Sequence, residues 1–455
     1  MSFVATIFQQ LEQHPGHPFV TEIHGDTPMP ASGETLRDLA QRGRAFLRAQ
    51  GVKAGDRVVL LSPNSIRWVA ADLAILGEGA IVVPMYARQA PGELVEMMHD
   101  CAPVLVLCAT AELAQGVTDH WSDAPVALFD AVFAAEPVTE GPVERSPDSD
   151  VTIIFTSGGA SRPKGVVTTV ASTDFMLAVT LDNLDGMLGE RDHDRVFHYL
   201  PFCFAGSRIM LWSQLLRANG IMVSTDLDGL VAEMGAARPH YYLNVPLLLE
   251  RIKNGVEARI RDRAAPIQAL YDGGKAAFFR SLDGAIGLRD RLVLRLARRL
   301  VFSKIRDQIG PELKCLICGS APLGEDTQRW FEMLGIPVYQ IYGLTETTAI
   351  VTMDRPPSVR AGRVGRALDG VETRLGEGDE LLVRGPNVFD RYWERPEATA
   401  EAFDDGWFRT GDQAEVDPDG TWRIVGRVKN LLVPTSGHNV APEPLEQKLL
   451  GAIDG

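Results

Sequence analysis

Apolar positions along the chain fall into two rhythms. Over 33–50, GETLRDLAQRGRAFLRAQ, they recur near helical spacing and stop at Gly51, a residue suited to ending a helix. DRVVLLSPNS then reads as a buried strand ending in a turn, IRWVAADLAILGEG as a helix and AIVVPMY as a second strand. After a further helical segment VLVLCA reads as a third. Strand–helix–strand alternation predicts a parallel, doubly wound sheet. A second unit of the same kind starts at DVTIIFTSG and continues through GIMVST and HYYLNVP. Beyond YGLTETTA the rhythm changes to short runs, ETRLG, DELLVRG and TWRIVGR, separated by Gly, Asp and Pro. These predict a small antiparallel barrel or sandwich. The expected fold class is α/β: two doubly wound, mostly parallel sheets with flanking helices, plus a small antiparallel β-barrel subdomain.

Composition narrows the function more than the fold. The 455 residues are too many for one core and suit two or three domains. The formal net charge is -15, with a pI near 5.1. That argues against nucleic acid as the partner, because phosphate backbones need clustered Lys and Arg. A phosphorylated small molecule is still compatible, since loop N–H groups carry no net charge. Five irregularly spaced cysteines fit reduced thiols. The pair Cys315 and Cys318 lacks the second pair or the histidines of a metal site and reads as small apolar residues in a buried strand. The N-terminus has no basic region followed by an apolar run, and no apolar segment reaches the length of a membrane span. A soluble, cytoplasmic protein is expected. The basic stretch from Arg289 to Arg306 carries Leu292, Leu296 and Leu300 at helical spacing. It reads either as a solvated surface helix or as a weak contact with anionic membrane. Nothing in the sequence sets the oligomeric state.

The candidate chemistry starts at FTSGGASRPKGVV, 155–167. An apolar strand runs into glycines, hydroxyls and Lys164, with Pro163 stiffening the approach and Gly165 freeing the exit. This is a loop able to close N–H groups around an anion, although it is not of the G-x-x-x-x-G-K-[ST] type. LICGSAPLG places a strand before a Gly-Ser-Ala-Pro turn on which a flat ligand can lie. YQIYGLTETT ends a strand in a glycine followed by Thr345 and Glu346, a hydroxyl and a carboxylate suited to a phosphate oxygen and its Mg²⁺. GWFRTGDQAEV offers Asp412 to two ribose hydroxyls, and Arg427 and Lys429 follow in VGRVKNLLVPTSGHNV. The apolar segments 202–212 and 241–249 flank that face and read as walls of an acyl pocket or as plain core.

Taken in this order, the motifs resemble the adenylate-forming superfamily of acyl-CoA synthetases, luciferases and peptide-synthetase adenylation domains. The likeness runs from about Gly33 to the end and is strongest to bacterial long-chain fatty acyl-CoA synthetases. It implies an enzyme of the acid–thiol ligase class, using ATP, Mg²⁺ and CoA on a carboxylic acid, with a medium- or long-chain fatty acid expected. It also implies roles. Thr156, Ser157, Gly158, Ser161 and Lys164 form the phosphate loop. Gly319, Ser320, Ala321 and Pro322 form the adenine-side turn. Tyr342 stacks on adenine beside Gly343, Thr345 meets phosphate, and Glu346 holds Mg²⁺. Asp412 and Arg427 take the ribose, and Lys429 is the hinge. Thr345, Glu346 and Lys164 are the expected catalytic residues. Phe204, Gly206, Trp212 and Asn244 are the expected acyl-pocket residues. A large domain over 1–426 and a hinge with the start of a lid over 427–455 follow from the same resemblance.

Three features depart from the family pattern. Gly159, Ala160 and Ser161 stand where the family has a hydroxyl, a threonine and a glycine. Each lost hydrogen bond to a charged group is worth about 1.5–3 kcal/mol. Phe204 replaces a frequent histidine at the gate between acyl pocket and nucleotide. Finally, the family has a lid of roughly a hundred residues beyond the hinge, bearing a lysine in a P-x-x-x-x-G-K context that the sequence to Gly455 does not contain. Either the sequence is a trimmed piece or the natural protein lacks the lid. The alternative function is a degenerate, non-catalytic homologue that binds nucleotide or acyl group.

Overall fold

The computed structural model describes residues 2–156, 162–189, 194–284 and 286–428. Two large sheets carry the architecture. The first has seven strands, in spatial order Arg391–Tyr392, Lys164–Thr169, Asp150–Thr156, Ile81–Met85, Arg57–Leu61, Leu105–Cys108 and Val126–Leu128. The second has nine, from Arg366–Ala367 and Thr352–Met353 through Val338–Tyr342, Leu316–Cys318, Tyr241–Asn244, Arg195–His198 and Gly220–Ser224 to Pro18–His24 and Thr27–Ser32. The central strands of both are parallel, as the alternation predicts. A smaller antiparallel sheet follows, built on Glu372–Leu375, Glu380–Arg384, Trp407–Val416 and Trp422–Arg427.

The two large sheets share a core. The helix Ile66–Gly77 is buried at every position from Trp68 to Gly77. A helix apolar all round has no solvent face, so it lies inside the fold. Ser65 starts it by accepting from Trp68 N at 3.0 Å, satisfying one of the free donors of the first turn. This helix and Ala205–Arg217 belong to one cluster with Val58 and Val166 of the first sheet and Ile221 of the second. An ion pair sits within it. Arg208 Nη2 donates to Asp72 Oδ1 at 2.7 Å, and the guanidinium carbon lies 4.4 Å from the Trp212 ring centroid.

Two departures from a purely parallel reading matter for the site. Asp150–Thr156 and Lys164–Thr169 form an antiparallel hairpin, with Thr156 opposite Lys164. The two ends of the glycine-rich loop are therefore held side by side. The short strand Arg391–Tyr392 then adds to the hairpin's outer edge, with Tyr392 opposite Val166. A chain segment more than two hundred residues downstream is thereby brought to the loop. All five cysteines are free and buried, and burial pushes the Cys315 thiol up to about 12.

Candidate nucleotide and acyl site

Parallel strands end on one edge, and the loops that leave them converge there. Tyr241–Asn244, Leu316–Cys318 and Val338–Tyr342 are neighbours, with Asn244 opposite Cys318 and Cys318 opposite Gln340. Asn244, the turn 319–322 and Gly343 thus emerge together. Gly319 N donates to Asn244 O at 3.0 Å. A Cβ on Gly319 would sit 2.8 Å from Ile341 Cγ1, and one on Gly343 would sit 2.1 Å from Ala349 O. Only glycine permits the second approach, because the obstacle is backbone. Ser320 adopts φ 71, a left-handed conformation that a non-glycine residue enters rarely. The result is a backbone surface with little side chain on it, suited to a flat ring.

Beyond Gly343 the chain makes a tight turn, Thr345–Thr347, in which Thr347 Oγ1 accepts from Leu344 N at 2.9 Å. A second loop clamps it. Phe389 N donates to Glu346 O at 2.8 Å, Thr348 Oγ1 donates to Asn387 O at 2.8 Å, and Asn387 Nδ2 donates to Ile350 O at 3.0 Å. Tyr392 completes the clamp: its hydroxyl donates to Glu346 Oε1 at 2.9 Å, and its ring centroid lies 4.9 Å from Lys164 Nζ. Burial, with the Glu346 carboxylate next, holds the Tyr392 phenol far above its ordinary value, so it stays a donor. Lys164, Tyr392 and Glu346 therefore form one continuous group. Thr156 Oγ1 reaches Lys164 O at 3.4 Å across the hairpin.

The antiparallel sheet supplies the opposite wall. Gly411 has φ 70, and Thr410 Oγ1 donates to Leu381 O at 2.7 Å, which fixes the turn into Asp412. Asp412 is opposite Arg427 in the ladder, and Arg427 Nε lies 3.0 Å from Asp412 Oδ1. The Tyr342 hydroxyl donates to Asp412 Oδ2 at 2.6 Å. Burial first, and the Asp412 charge second, push the Tyr342 phenol well above its ordinary value. Tyr342, Asp412 and Arg427 are thus one hydrogen-bonded unit.

Among the described residues, most of those expected from the motifs gather here, and Trp212 does not. Trp212 is a core residue: its indole N–H donates to Asp72 Oδ2 at 3.0 Å, and its ring packs on Phe3 and Arg208. Its apolar surroundings made it resemble a pocket wall in sequence. Phe204 instead is half exposed and sits by Tyr86, with ring centroids 6.0 Å apart. Gly206 has open space up to Leu243 Cδ2, 3.9 Å from where a Cβ would be. Asn244 is fully buried; its amide donates to Tyr242 O at 3.2 Å and its Oδ1 has no hydrogen-bond partner. Ser157, Gly158, Ser161 and Lys429 lie outside the described residues, as do Gly159 and Ala160. Tyr392 and Asn387 were missed, because a lone Tyr-Trp pair and a lone Asn carry no motif. A cavity of about 610 Å³ lies elsewhere, among Gly79, Arg145, Asp150 and Arg391 at the far end of the hairpin, and no candidate site residue lines it. Among the described residues no helix is long and apolar enough to cross a membrane.

Comparison with known proteins bears on the family and the fold. A family model described as AMP-binding enzyme matches residues 7–393, a span that ends before Asp412 and Arg427. The chain is 31% identical over 425 residues to the long-chain-fatty-acid–CoA ligase FadD15 of Mycobacterium bovis, covering 88% of this chain and 70% of that protein. It is 35% identical over 317 residues to the putative fatty-acid–CoA ligase fadD11 of Mycobacterium tuberculosis, covering 67% and 54%. Among solved structures, the N-terminal domain of FACL13 from Mycobacterium tuberculosis superposes with a TM-score of 0.72 at 23% identity, covering 93% of this chain and 99% of that one. The o-succinylbenzoate CoA synthetase of Bacillus subtilis, in complex with ATP and magnesium ion, gives 0.76 at 19% identity, covering 98% and 84%. The chain belongs to the AMP-binding enzyme family, the adenylate-forming enzymes.

Proposed function

We propose that this protein joins a fatty acid of medium or long chain to CoA in two steps, using ATP and Mg²⁺. In the first step a carboxylate oxygen attacks the α-phosphorus, the bond to pyrophosphate breaks, and acyl-AMP results. In the second a thiol attacks the acyl carbon, and AMP leaves with the carboxylate oxygen. Such transfers ask the protein mainly to position groups and offset charge.

The observation that carries the reading is the meeting of two groups at one strand-end edge: Tyr342 with Asp412 and Arg427, and Glu346 with Tyr392 and Lys164. The glycine surface at Gly319 and Gly343 fits an adenine, and Asp412 offers carboxylate oxygens to a ribose diol. Lys164 and Thr345 face the phosphates. Glu346, with Tyr392 orienting one oxygen, is the residue that would hold Mg²⁺, which supplies charge neutralisation at the phosphates. Phe204, Gly206 and Asn244 line the acyl entrance. The large domain runs to residue 426, and the hinge begins with Arg427 and Lys429.

A second reading, a nucleotide- or acyl-binding homologue without turnover, is favoured by Gly159 and Ala160 in the phosphate loop. Acid-dependent exchange of labelled pyrophosphate into ATP, across carboxylic acids of increasing length, separates the two. Exchange that rises with chain length supports the ligase. Calorimetric ATP binding with no exchange for any acid supports the second reading. A preference for short hydrophilic acids overturns the fatty-acid assignment.

A further inference from the structure

We propose that the helical ridge over 288–309 docks on an anionic lipid bilayer. Leu288–Ala297, the π-helical turn Arg298–Phe302 and Ser303–Ile309 follow one another without a break in helical backbone. One face is ordinary core: Leu294, Ala297, Val301, Phe302 and Ile305 pack with Tyr271 and Phe278 of the helix Ala265–Leu282. The other face should then be polar. Instead Leu288, Leu292, Leu296 and Leu300 stand 83%, 69%, 49% and 47% exposed. Their spacing of four puts them in one stripe along roughly 18 Å of helix. Scattered single leucines on a surface need no explanation, but a continuous ridge of four does.

The charge beside the ridge selects the partner. Arg289, Arg291, Arg295, Arg298, Arg299 and Lys304 are exposed along the same segment. None of these side chains forms an ion pair with a described residue, whereas the acidic neighbour Asp290 is held by Arg280 at 2.7 Å. This basic surplus lies on a chain of net charge -15, so it is local and not a property of the whole surface. Leucines that enter the acyl boundary, with arginine stems along them and guanidinium groups at lipid phosphates, are the arrangement of an interfacial helix. A second copy of this chain fits less well. A two-fold contact through the ridge would set these arginines against their own equivalents, which is repulsive.

The proposal is independent of the ligase chemistry, and no residue on the ridge belongs to the nucleotide or acyl site. Co-sedimentation with phosphatidylcholine vesicles, with and without phosphatidylglycerol, tests it on the full chain. Partition is expected to be at least about tenfold stronger with the anionic lipid and to fall with salt. The pair Leu292→Ser and Leu296→Ser should reduce it about tenfold with an unchanged melting temperature. The pair Arg291→Gln and Arg295→Gln should remove the preference for anionic lipid. Equal partition of parent and leucine variant overturns the proposal. So does a parent that ignores vesicles but runs as a dimer which the leucine variant dissolves; that result assigns the ridge to a second copy.

Discussion

Tyr392 donates its hydroxyl to Glu346 across 2.9 Å, linking an edge strand to a tight turn 46 residues away in sequence. The bond does more than fill a gap, because the same ring lies against Lys164. Removing the hydroxyl alone leaves the ring in place and frees the carboxylate. Tyr392→Phe is therefore expected to raise the Mg²⁺ concentration for half-maximal adenylation about three- to tenfold, or about 0.7–1.4 kcal/mol, the net worth of one ordinary hydrogen bond. Stability should change by only about 1 kcal/mol. A Mg²⁺ titration that superimposes on the parent's would mean that Glu346 does not hold the ion.

Tyr342 and Asp412 give a sharper pair of outcomes. Asp412→Ala strips Tyr342 and Arg427 of a shared partner and removes the ribose acceptor. Nucleotide affinity should fall about a hundredfold, as expected when two charge-assisted bonds go. Tyr342→Phe keeps the ring and loses only its bond to Asp412, so the affinity should change less than about threefold. Calorimetry with ATP and Mg²⁺ reads both. Equal losses in the two variants would contradict a stacking role for the ring.

How much of this was legible in sequence depends on the kind of signal. Strand–helix alternation identified the two parallel sheets, because period and length are local properties. Motifs with several fixed positions, such as Tyr342 to Glu346 and Thr410 to Asp412, named strand ends that the structure brings together. Tyr392 was not legible: its role comes from a two-residue edge strand pairing with Lys164–Thr169, a contact made wholly by tertiary structure. Trp212 misled for the converse reason. An aromatic residue among apolar neighbours looks the same whether it lines a pocket or packs a core, and only the buried Asp72 accepting its N–H decides.

The Asp72–Arg208 pair yields a stability prediction. Both side chains are buried, and Arg208 Nε and Nη1 have no hydrogen-bond partner. Removing either partner leaves an uncompensated charge in the core, at a cost of about 3–5 kcal/mol. Replacing both together, Asp72→Leu with Arg208→Met, should cost clearly less than the sum of the single changes. A urea-unfolding double-mutant cycle measures this. Strictly additive losses would show that the two charges do not compensate each other.

Asp354 should make stability depend on pH. Its Oδ2 accepts from Gln340 N at 2.8 Å on the strand that leads to Tyr342, while its Oδ1 is buried without a partner. Burial raises its carboxyl from 3.8 to about 7, against the lowering effect of the bonds from Gln340 and Gln328. The folded state thus keeps a proton that the unfolded state releases. Stability from this group is complete below about pH 4, declines as pH rises, and is lost above about pH 7. Asp354→Asn cannot ionise, so it should melt about 2–4 °C above the parent at pH 8 and show a smaller gain at pH 5. Thermal melts at both values test this, and a gain confined to the lower pH would reverse the sign.

The glycine-rich loop is open to a gain-of-function test. Its ends are fixed by the hairpin partners Thr156 and Lys164, so its substitutions act on the ligand and not on the position of the loop's anchors. Gly159 and Ala160 lack the hydroxyls that the family pattern places there. Restoring them by Gly159→Ser with Ala160→Thr adds two donors for phosphate oxygens. If one forms a charge-assisted bond, the gain is at least about 1.4 kcal/mol, or tenfold. ATP affinity or pyrophosphate exchange should rise by at least that factor, and binding should respond even where exchange is too slow to measure. The opposing account holds that backbone N–H groups and Lys164 already satisfy the phosphates, leaving the hydroxyls redundant. Unchanged affinity and unchanged exchange in the double variant would decide for that account. The odd filling of the loop would then have no bearing on whether this protein turns over.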